Sequence, residues 1–295
     1  MKHAIPRIWE KNWPEVHAAV TGGLPEFVFA RNPSDIASSI PVFCYHVVDV
    51  AGFETDLKFL QRNGYNTVDA DALLDHMERR SLAPLRSVVI TIDDGARNLY
   101  DVAFPLLMRY QMKAVAFVAP GLHEENGVRT GSPLSWQQIR EMHDSGVIDF
   151  QSHTYDHRYV PRWPETLDGL EGSELAQVRE LRGPALAMAE DFRLAKEALE
   201  LRLGKTVRHL AFPQFNGTEE AISIGRETGY EAFWWGVLPH RPDNRPGDPR
   251  SHIVRLDGRN LRRLPGDGRE PLTRILKARC HGSLLRLTDT FLKRR

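Results

Sequence analysis

Short apolar runs alternate with amphipathic segments along most of the chain. Apolar β-formers predict strands at 41–48, 66–68, 88–92, 113–120, 147–153, 209–213 and 230–237. Helical spacing of apolar residues predicts helices at 53–64, 70–80, 100–110, 135–146, 185–203 and 218–229. Strands that alternate with helices indicate a parallel sheet with crossover helices. The pattern therefore predicts an α/β fold.

Three regions follow from the same pattern. Residues 1–40 form an N-terminal extension whose aromatic residues predict that it packs on the main domain. Residues 41–258 form that domain, in which the polar stretch 161–184 is predicted to be a surface insertion. Residues 259–295 form a basic tail with eleven Lys and Arg but only three Asp and Glu.

Composition narrows the class of protein. The chain has 295 residues, of which 41% are hydrophobic and 26% charged, and its formal net charge is zero. This balance is globular and gives no reason to expect a nucleic-acid partner. No run approaches the roughly 20 apolar residues of a membrane span, and residues 1–23 lack the apolar centre of a signal peptide. We therefore expect a cytoplasmic protein.

The end of the chain allows two interpretations. Apolar residues at helical spacing in 272–295 predict a helix with a basic opposite face, although Gly282 interrupts it. The helix either packs on the barrel or lies on an anionic inner membrane face, where each basic residue contributes about 1 kcal/mol.

Polar residues capable of chemistry follow several of the predicted strands. His46 ends the first, Asp93 and Asp94 end the strand at 88–92, and His153 ends the strand at 147–153. In parallel α/β folds such ends lie together at the functional edge of the sheet. Two adjacent carboxylates repel each other when they are desolvated, so a positive charge should lie beside them.

His153 and His157 could supply that charge by holding a metal. On a helical turn their spacing places both imidazoles on one side, and two His with one carboxylate form a three-ligand zinc set. Each motif alone is weak. "DDG" also occurs in ordinary turns, and an isolated pair of this spacing more often caps a helix or lies in solvent.

Together these motifs resemble those of the polysaccharide deacetylases, carbohydrate esterase family 4, with their NodB-type domain. "TIDDG" (91–95) is similar to the family's TFDDG motif, and "HTYDH" (153–157) to its second motif. The resemblance extends from about Pro41 to Leu256. "CYHVV" (44–48) is similar to the early motif of the subgroup with permuted motif order, which includes poly-N-acetylglucosamine deacetylases.

The resemblance implies a distorted (β/α) barrel, a divalent metal that is usually zinc, and hydrolysis of an N-acetyl group on an amino sugar. Carried over residue by residue, it implies that Asp94, His153 and His157 bind the metal. Asp93 is then the base that activates water on the metal, and His46 is the acid that protonates the leaving amine.

The remaining motifs match less well. The third motif is "AFPQFNG" (211–217), in which Pro213 is kept, Gln214 stands for the family's Tyr and Phe215 for its Gly. The backbone N–H of Gln214 is the expected oxyanion donor.

Two further contacts are expected. Trp234 or Trp235 forms the aromatic floor for the acetyl group, and one of them is instead a core residue. Arg255 either pairs with the two aspartates or is a surface charge.

We therefore predict a metal-dependent N-deacetylase that acts on an N-acetylhexosamine unit of a cytoplasmic or lipid-linked glycan precursor. The basic tail would then lie at the inner membrane face. One alternative is a cytoplasmic deformylase or other amide hydrolase on the same scaffold. Another is a carbohydrate-binding protein that has lost catalysis.

Overall fold

The computed structural model describes residues 24–29, 38–123, 133–158, 160, 188–238, 241 and 243–273. Within these residues, strands and helices alternate as the pattern predicts. The strands are β1 (Val42–Tyr45), β2 (Asn66–Thr67), β3 (Ser87–Asp93), β4 (Ala114–Val118), β5 (Ile148–Ser152), β6 (His209–Ala211), β7 (Ala232–Trp234) and β8 (Leu256–Asp257). The helices are α1 (Glu26–Phe29), α2 (Val50–Arg62), α3 (Ala70–Met77), α4 (Phe104–Tyr110), α5 (Trp136–Asp144), α6 (Met188–Leu203) and α7 (Glu219–Glu227). No described helix has the length and apolar character needed to cross a bilayer.

The strands form one parallel sheet in the order β7-β6-β5-β4-β3-β1-β8, with β2 beside the start of β3. The segment before β8 closes this sheet. Ile253 pairs with Trp234, and the Trp235 N–H donates to the Ile253 carbonyl at 2.8 Å. β8 in turn pairs with β1. The result is a distorted (β/α) barrel, which confirms the predicted fold class.

The two faces of the strands contact different cores. One core lies between the sheet and the surrounding helices and includes Phe43, Ile90 and Phe150. The other fills the barrel interior and includes Val89, Val115, Phe117, Ala211 and Trp234. Because side chains alternate along a strand, residues with the parity of Val89 point inward, and Asp93 ends β3 with that parity.

Helices α2 to α7 match predicted helices except at their ends, and the predicted helix at 100–110 begins with a π-helical segment over Leu99–Ala103. Helix α1 was not predicted. The helix predicted at 53–64 begins at Val50, because the Asp49 carboxylate accepts the Gly52 N–H at 2.7 Å and caps it. The Ser135 N-cap of α5 forms a capping box with Gln138.

Parts of the predicted extension and tail lie against the barrel. Phe27 is buried, with its ring 5.9 Å from that of Phe43, and Arg269 donates to the Phe27 carbonyl at 2.7 Å. The predicted insertion at 161–184 and the tail beyond residue 273 lie outside the described residues.

Candidate metal centre and catalytic site

The site lies at the carboxyl end of β3, where the backbone turns sharply. Asp93 is buried at the end of the strand, and Asp94 and Gly95 both have left-handed backbones, with φ of 72° and 64°. A Cβ on residue 95 would lie 2.6 Å from Cε1 of His123, so glycine is needed there for conformation and for space. The turn places the Asp94 carboxylate at the mouth of the barrel, with its side chain 41% exposed.

Two imidazoles converge on that carboxylate. The Nε2 atoms of His153 and His157 lie 3.4 Å and 3.0 Å from Oδ1 of Asp94. The Nδ1 atom of His153 lies 2.8 Å from the Ala211 carbonyl, to which it donates, so Nε2 presents a lone pair to the site.

These three side chains fit a divalent cation. Although both imidazoles approach it, Asp94 Oδ1 accepts no hydrogen bond from any described residue. Ligand atoms at ~2.1 Å from a tetrahedral zinc lie about 3.4 Å from one another, which is close to the separations observed. Lone pairs that converge without bonding to each other are the arrangement a metal requires.

The backbone that positions the two histidines differs from the one that their spacing predicts. We expected a helical turn, but residues 153–158 form a loop, in which Thr154 and His157 have φ of 64° and 56°. The two rings still lie 4.9 Å apart. The loop geometry, rather than helical periodicity, therefore brings the imidazoles together.

Asp93 is held by a buried ion pair. Arg255 is 1% exposed, and its Nη1 lies 2.8 Å and 2.9 Å from the two carboxylate oxygens of Asp93. Burial would raise the pKa of Asp93, but the guanidinium of Arg255 keeps that pKa below its ordinary value. Asp93 is therefore an ionised carboxylate of fixed orientation, 3.8 Å from Nε2 of His153. Of the two interpretations of Arg255, the structure shows the partner to the aspartates.

A second group of potential ligands lies beside the first. Donor atoms of Cys44, His46 and Asp93 lie within 4.8 Å of one another. Burial and the nearby Asp93 raise the pKa of the Cys44 thiol well above its ordinary value, and Arg255 already neutralises Asp93. A cation is therefore favoured between Asp94, His153 and His157 rather than here.

Phe215 forms a wall of the site that its motif does not predict. Its ring lies 5.5 Å from the His46 ring, edge to face, and 5.2 Å from the Arg255 guanidinium carbon. Phe117 lies 5.3 Å from the same carbon, so the guanidinium contacts two aromatic rings. Pro213 begins this turn, and Gln214 and Phe215 have φ of 56° and 68°. The sequence carries one signal for this wall, because Phe215 is a bulky residue where the family motif has Gly. In the structure its backbone is left-handed, a conformation that bulky residues rarely adopt.

The two tryptophans have different surroundings, and the Trp235 carbonyl accepts from Nε of Arg255 at 3.0 Å. Trp234, the expected acetyl floor, is fully buried inside the barrel, where its indole N–H donates to Nδ1 of His209 at 3.1 Å. His209 begins β6, at the end of the barrel opposite the site. Trp235 stacks on His252 and donates to the Ser251 carbonyl at 2.8 Å. Trp234 therefore belongs to the interior core, because side-chain parity directs it inward and its polar group bonds away from the mouth.

The chain is similar in sequence and fold to known proteins. The family model described as "Polysaccharide deacetylase" matches residues 82–233, just over half of the sequence. The chain belongs to the polysaccharide deacetylase family. This confirms the resemblance and the predicted class of enzyme at the level of the family. The match includes Asp93, Asp94 and the histidine pair, whereas His46 and Arg255 lie outside it.

Individual relatives agree with this assignment. A poly-beta-1,6-N-acetyl-D-glucosamine N-deacetylase of Staphylococcus aureus is 23% identical over 158 residues, 53% of each chain. The Staphylococcus epidermidis protein of the same name is 25% identical over 187 residues, 63% of this chain and 60% of the relative. The chain thus spans about half the length of the curated relatives it matches.

Solved structures support the fold. IcaB from Ammonifex degensii has a TM-score of 0.58 and 28% identity, covering 75% of this chain and 91% of its own. A de-N-acetylase from Aggregatibacter actinomycetemcomitans has a TM-score of 0.59 and 23% identity, covering 74% and 95%. At the latter identity the likeness is evidence for the fold alone.

Proposed function

We propose that this protein is a metal-dependent N-deacetylase that hydrolyses the acetamide of an N-acetylhexosamine unit in a glycan. The observation that carries the proposal is the convergence of Asp94, His153 and His157 next to an ionised, arginine-paired Asp93. The names of the relatives favour a β-1,6-linked N-acetylglucosamine polymer or its precursor as the substrate.

The metal ligands in this proposal are Asp94, His153 and His157. These residues would hold a divalent ion such as Zn²⁺, which would polarise the amide carbonyl and lower the pKa of the attacking water. The chain supplies two imidazole nitrogens and one carboxylate oxygen, a set typical of catalytic zinc with an open position.

Asp93 acts as the general base. A carboxylate with a lowered pKa is a weak base, so it accepts the proton only because the pKa of the water is lowered as well. Arg255 keeps Asp93 ionised before the reaction and directs the carboxylate through two hydrogen bonds from one Nη1 atom. This ion pair is what prepares Asp93 for proton transfer.

His46 acts as the general acid beside Asp93, to which a ring nitrogen of His46 lies within 4.8 Å. It follows β1, and Phe215 packs against its ring. Histidine is the side chain best suited to exchange a proton near neutral pH, and the leaving amine requires a proton to depart. The backbone N–H of Gln214, in the turn that carries Phe215, supplies the oxyanion donor.

The lipid-linked form of the substrate is a narrower part of the proposal. It is supported by the excess of basic residues in 259–295, which would attract an anionic membrane surface at the cytoplasmic face. Deleting residues 274–295 should then reduce co-sedimentation with vesicles that contain anionic lipids. Equal sedimentation of the intact and shortened chains would remove this part and leave the chemistry unaffected.

The test is acetate release by the purified chain. A soluble β-1,6-linked N-acetylglucosamine oligomer and a polyprenyl-phosphate-linked N-acetylhexosamine are each incubated with zinc and with chelator. We expect zinc-dependent acetate release from at least one of them. Formate release from an N-formyl sugar instead would support the deformylase, and no release with zinc stoichiometrically bound would support a carbohydrate-binding protein without catalysis.

A further inference from the structure

A buried carboxylate lies behind the loop that joins the two metal-site histidines. Asp191, in the first turn of α6, is 0% exposed. It lies on the helix face that also buries Met188, Phe192 and Ala195. A carboxylate on the apolar face of a helix is rare because its desolvation is unfavourable. Burial raises the pKa of Asp191 to about 7, although two backbone N–H groups oppose that shift.

Those two N–H groups belong to the histidine loop. Oδ1 of Asp191 accepts the N–H of Tyr155 at 2.6 Å, and Oδ2 accepts the N–H of Asp156 at 3.1 Å. Tyr155 and Asp156 lie between His153 and His157 in sequence. A single side chain therefore fixes two consecutive peptide groups between the ligands.

The loop needs external support because its backbone is strained. Thr154 and His157 are non-glycine residues with left-handed φ, a conformation that persists only where surrounding contacts hold it. The Tyr155 carbonyl also accepts the Gly121 N–H at 3.0 Å. The peptide group between Tyr155 and Asp156 is therefore held at its oxygen as well as at its N–H. The described hydrogen bonds of Asp191 go to this loop and not to either histidine side chain, so they act on the histidines through the loop backbone.

We infer that Asp191 is a positioning residue that sets metal affinity by holding the loop in which His153 and His157 face Asp94. The inference rests on the metal site of the proposed function. Metal ligands are oriented by groups that do not touch the metal, and losing such a group typically weakens metal affinity by about 10- to 100-fold.

The test is zinc affinity of the purified full-length chain, measured by competition with a chromophoric chelator. Asp191→Asn keeps the volume of the side chain but loses one of its two acceptors. The control is Glu190→Gln, a change at the neighbouring, exposed position of the same helix turn. We expect zinc to dissociate about 10- to 100-fold more readily from Asp191→Asn and with wild-type affinity from Glu190→Gln.

A second measurement separates positioning from general stability. A purely structural role would lower the melting temperature of the metal-free chain and leave the zinc-induced rise in that temperature unchanged. A positioning role makes the zinc-induced rise smaller, because stabilisation by a ligand follows its affinity. If Asp191→Asn does not fold, Asp191→Glu keeps both acceptors on a longer side chain and should bind zinc with intermediate affinity.

Each outcome has a distinct meaning. Wild-type zinc affinity in a folded Asp191→Asn or Asp191→Glu variant would overturn the inference. Failure of the wild-type chain to bind zinc would overturn the proposed metal site itself. Tight zinc binding by the wild type without acetate release would count against the proposed reaction only. The zinc affinities of the variants and the wild type would then still decide the role of Asp191.

Discussion

The two ends of the barrel both carry histidine and aspartate, and they connect these side chains in different ways. At the amino-terminal end, His209 is fully buried and uses both ring nitrogens within the protein. Its Nδ1 accepts the indole N–H of Trp234 at 3.1 Å, and its Nε2 lies 3.0 Å from Asp71, which also accepts from Arg208 at 3.0 Å. Arg208 also donates two hydrogen bonds to the Glu231 carboxylate. Every donor in this series meets an acceptor.

At the carboxyl-terminal end, the same residue types direct lone pairs at a common point. Nε2 of His153 and Nε2 of His157 approach one oxygen of Asp94 that accepts no hydrogen bond from a described residue. The backbone there is strained, with left-handed φ at Asp94, Thr154 and His157. The comparison shows that residue type alone does not define a metal centre. The distinguishing features are unmatched acceptors and a strained backbone that holds them together.

The largest expected effect comes from removing a histidine at the carboxyl-terminal end. His153→Leu deletes one of the three proposed metal ligands, so we expect loss of stoichiometric zinc binding and of all measurable acetate release. Zinc content after desalting and acetate release are the measurements. If the variant keeps one zinc per chain with wild-type affinity, the assigned ligand set is incorrect.

The next effect separates the base from the metal ligands. Asp93→Asn removes the proton acceptor and keeps an oxygen that can accept from Arg255. We expect kcat to fall by about 10²- to 10⁴-fold, the usual contribution of a general base, while zinc content is unchanged. Equal loss of zinc and of activity would instead indicate that Asp93 is a ligand.

Much of this site could be predicted from the sequence because its signals are local. Apolar runs fix the strands, and the chain places His46, Asp93 and His153 directly at strand ends. The partners that depend on distant packing could not be predicted in the same way. Arg255 is 162 residues from Asp93 in the chain, and nothing near Arg255 in the sequence distinguishes a buried ion pair from a surface charge.

The orientation of several side chains could not be predicted from the sequence either. The spacing of His153 and His157 fits a helical turn, yet a strained loop produces their geometry. Trp234 and Trp235 are neighbours in the sequence, so their side chains point to opposite sides of the backbone. The structure was needed to show that Trp234 is the one that points into the barrel. Asp191 did carry a signal, since it is a charged residue on the apolar stripe of a predicted helix, but its partners lie across a stretch of about 35 residues.

A smaller effect concerns acid stability at the carboxyl-terminal end. His123 donates from Nδ1 to the Leu134 carbonyl at 2.9 Å, and its Nε2 has no hydrogen-bond partner among the described residues. Burial lowers the pKa of His123 to about 4, with the bond to Leu134 opposing the shift. The unfolded chain therefore takes up this proton first as the pH falls below about 6.5.

The contribution of His123 to stability is thus present above pH 6.5 and is lost between about pH 6.5 and 4. It amounts to about 3 kcal/mol over that window, at roughly 1.4 kcal/mol per pKa unit. His123→Asn keeps a donor for Leu134 without titrating. Denaturant unfolding of both chains across this range should show a shallower acid loss in the variant, and parallel curves would exclude His123 as a source of acid sensitivity.

The smallest effect is expected from the same His-to-Leu change at the amino-terminal end of the barrel. His209→Leu leaves the Trp234 indole N–H buried without its acceptor, which should lower the free energy of unfolding by about 1–3 kcal/mol. Zinc affinity should remain that of the wild type, because none of the hydrogen bonds described for this network involves Asp94 or residues 153–158. Denaturant unfolding and chelator competition on the same preparation provide both values. A matching loss of zinc affinity would show that the two ends are coupled through the interior core, where Trp234 packs against Phe117 and Phe117 against Arg255.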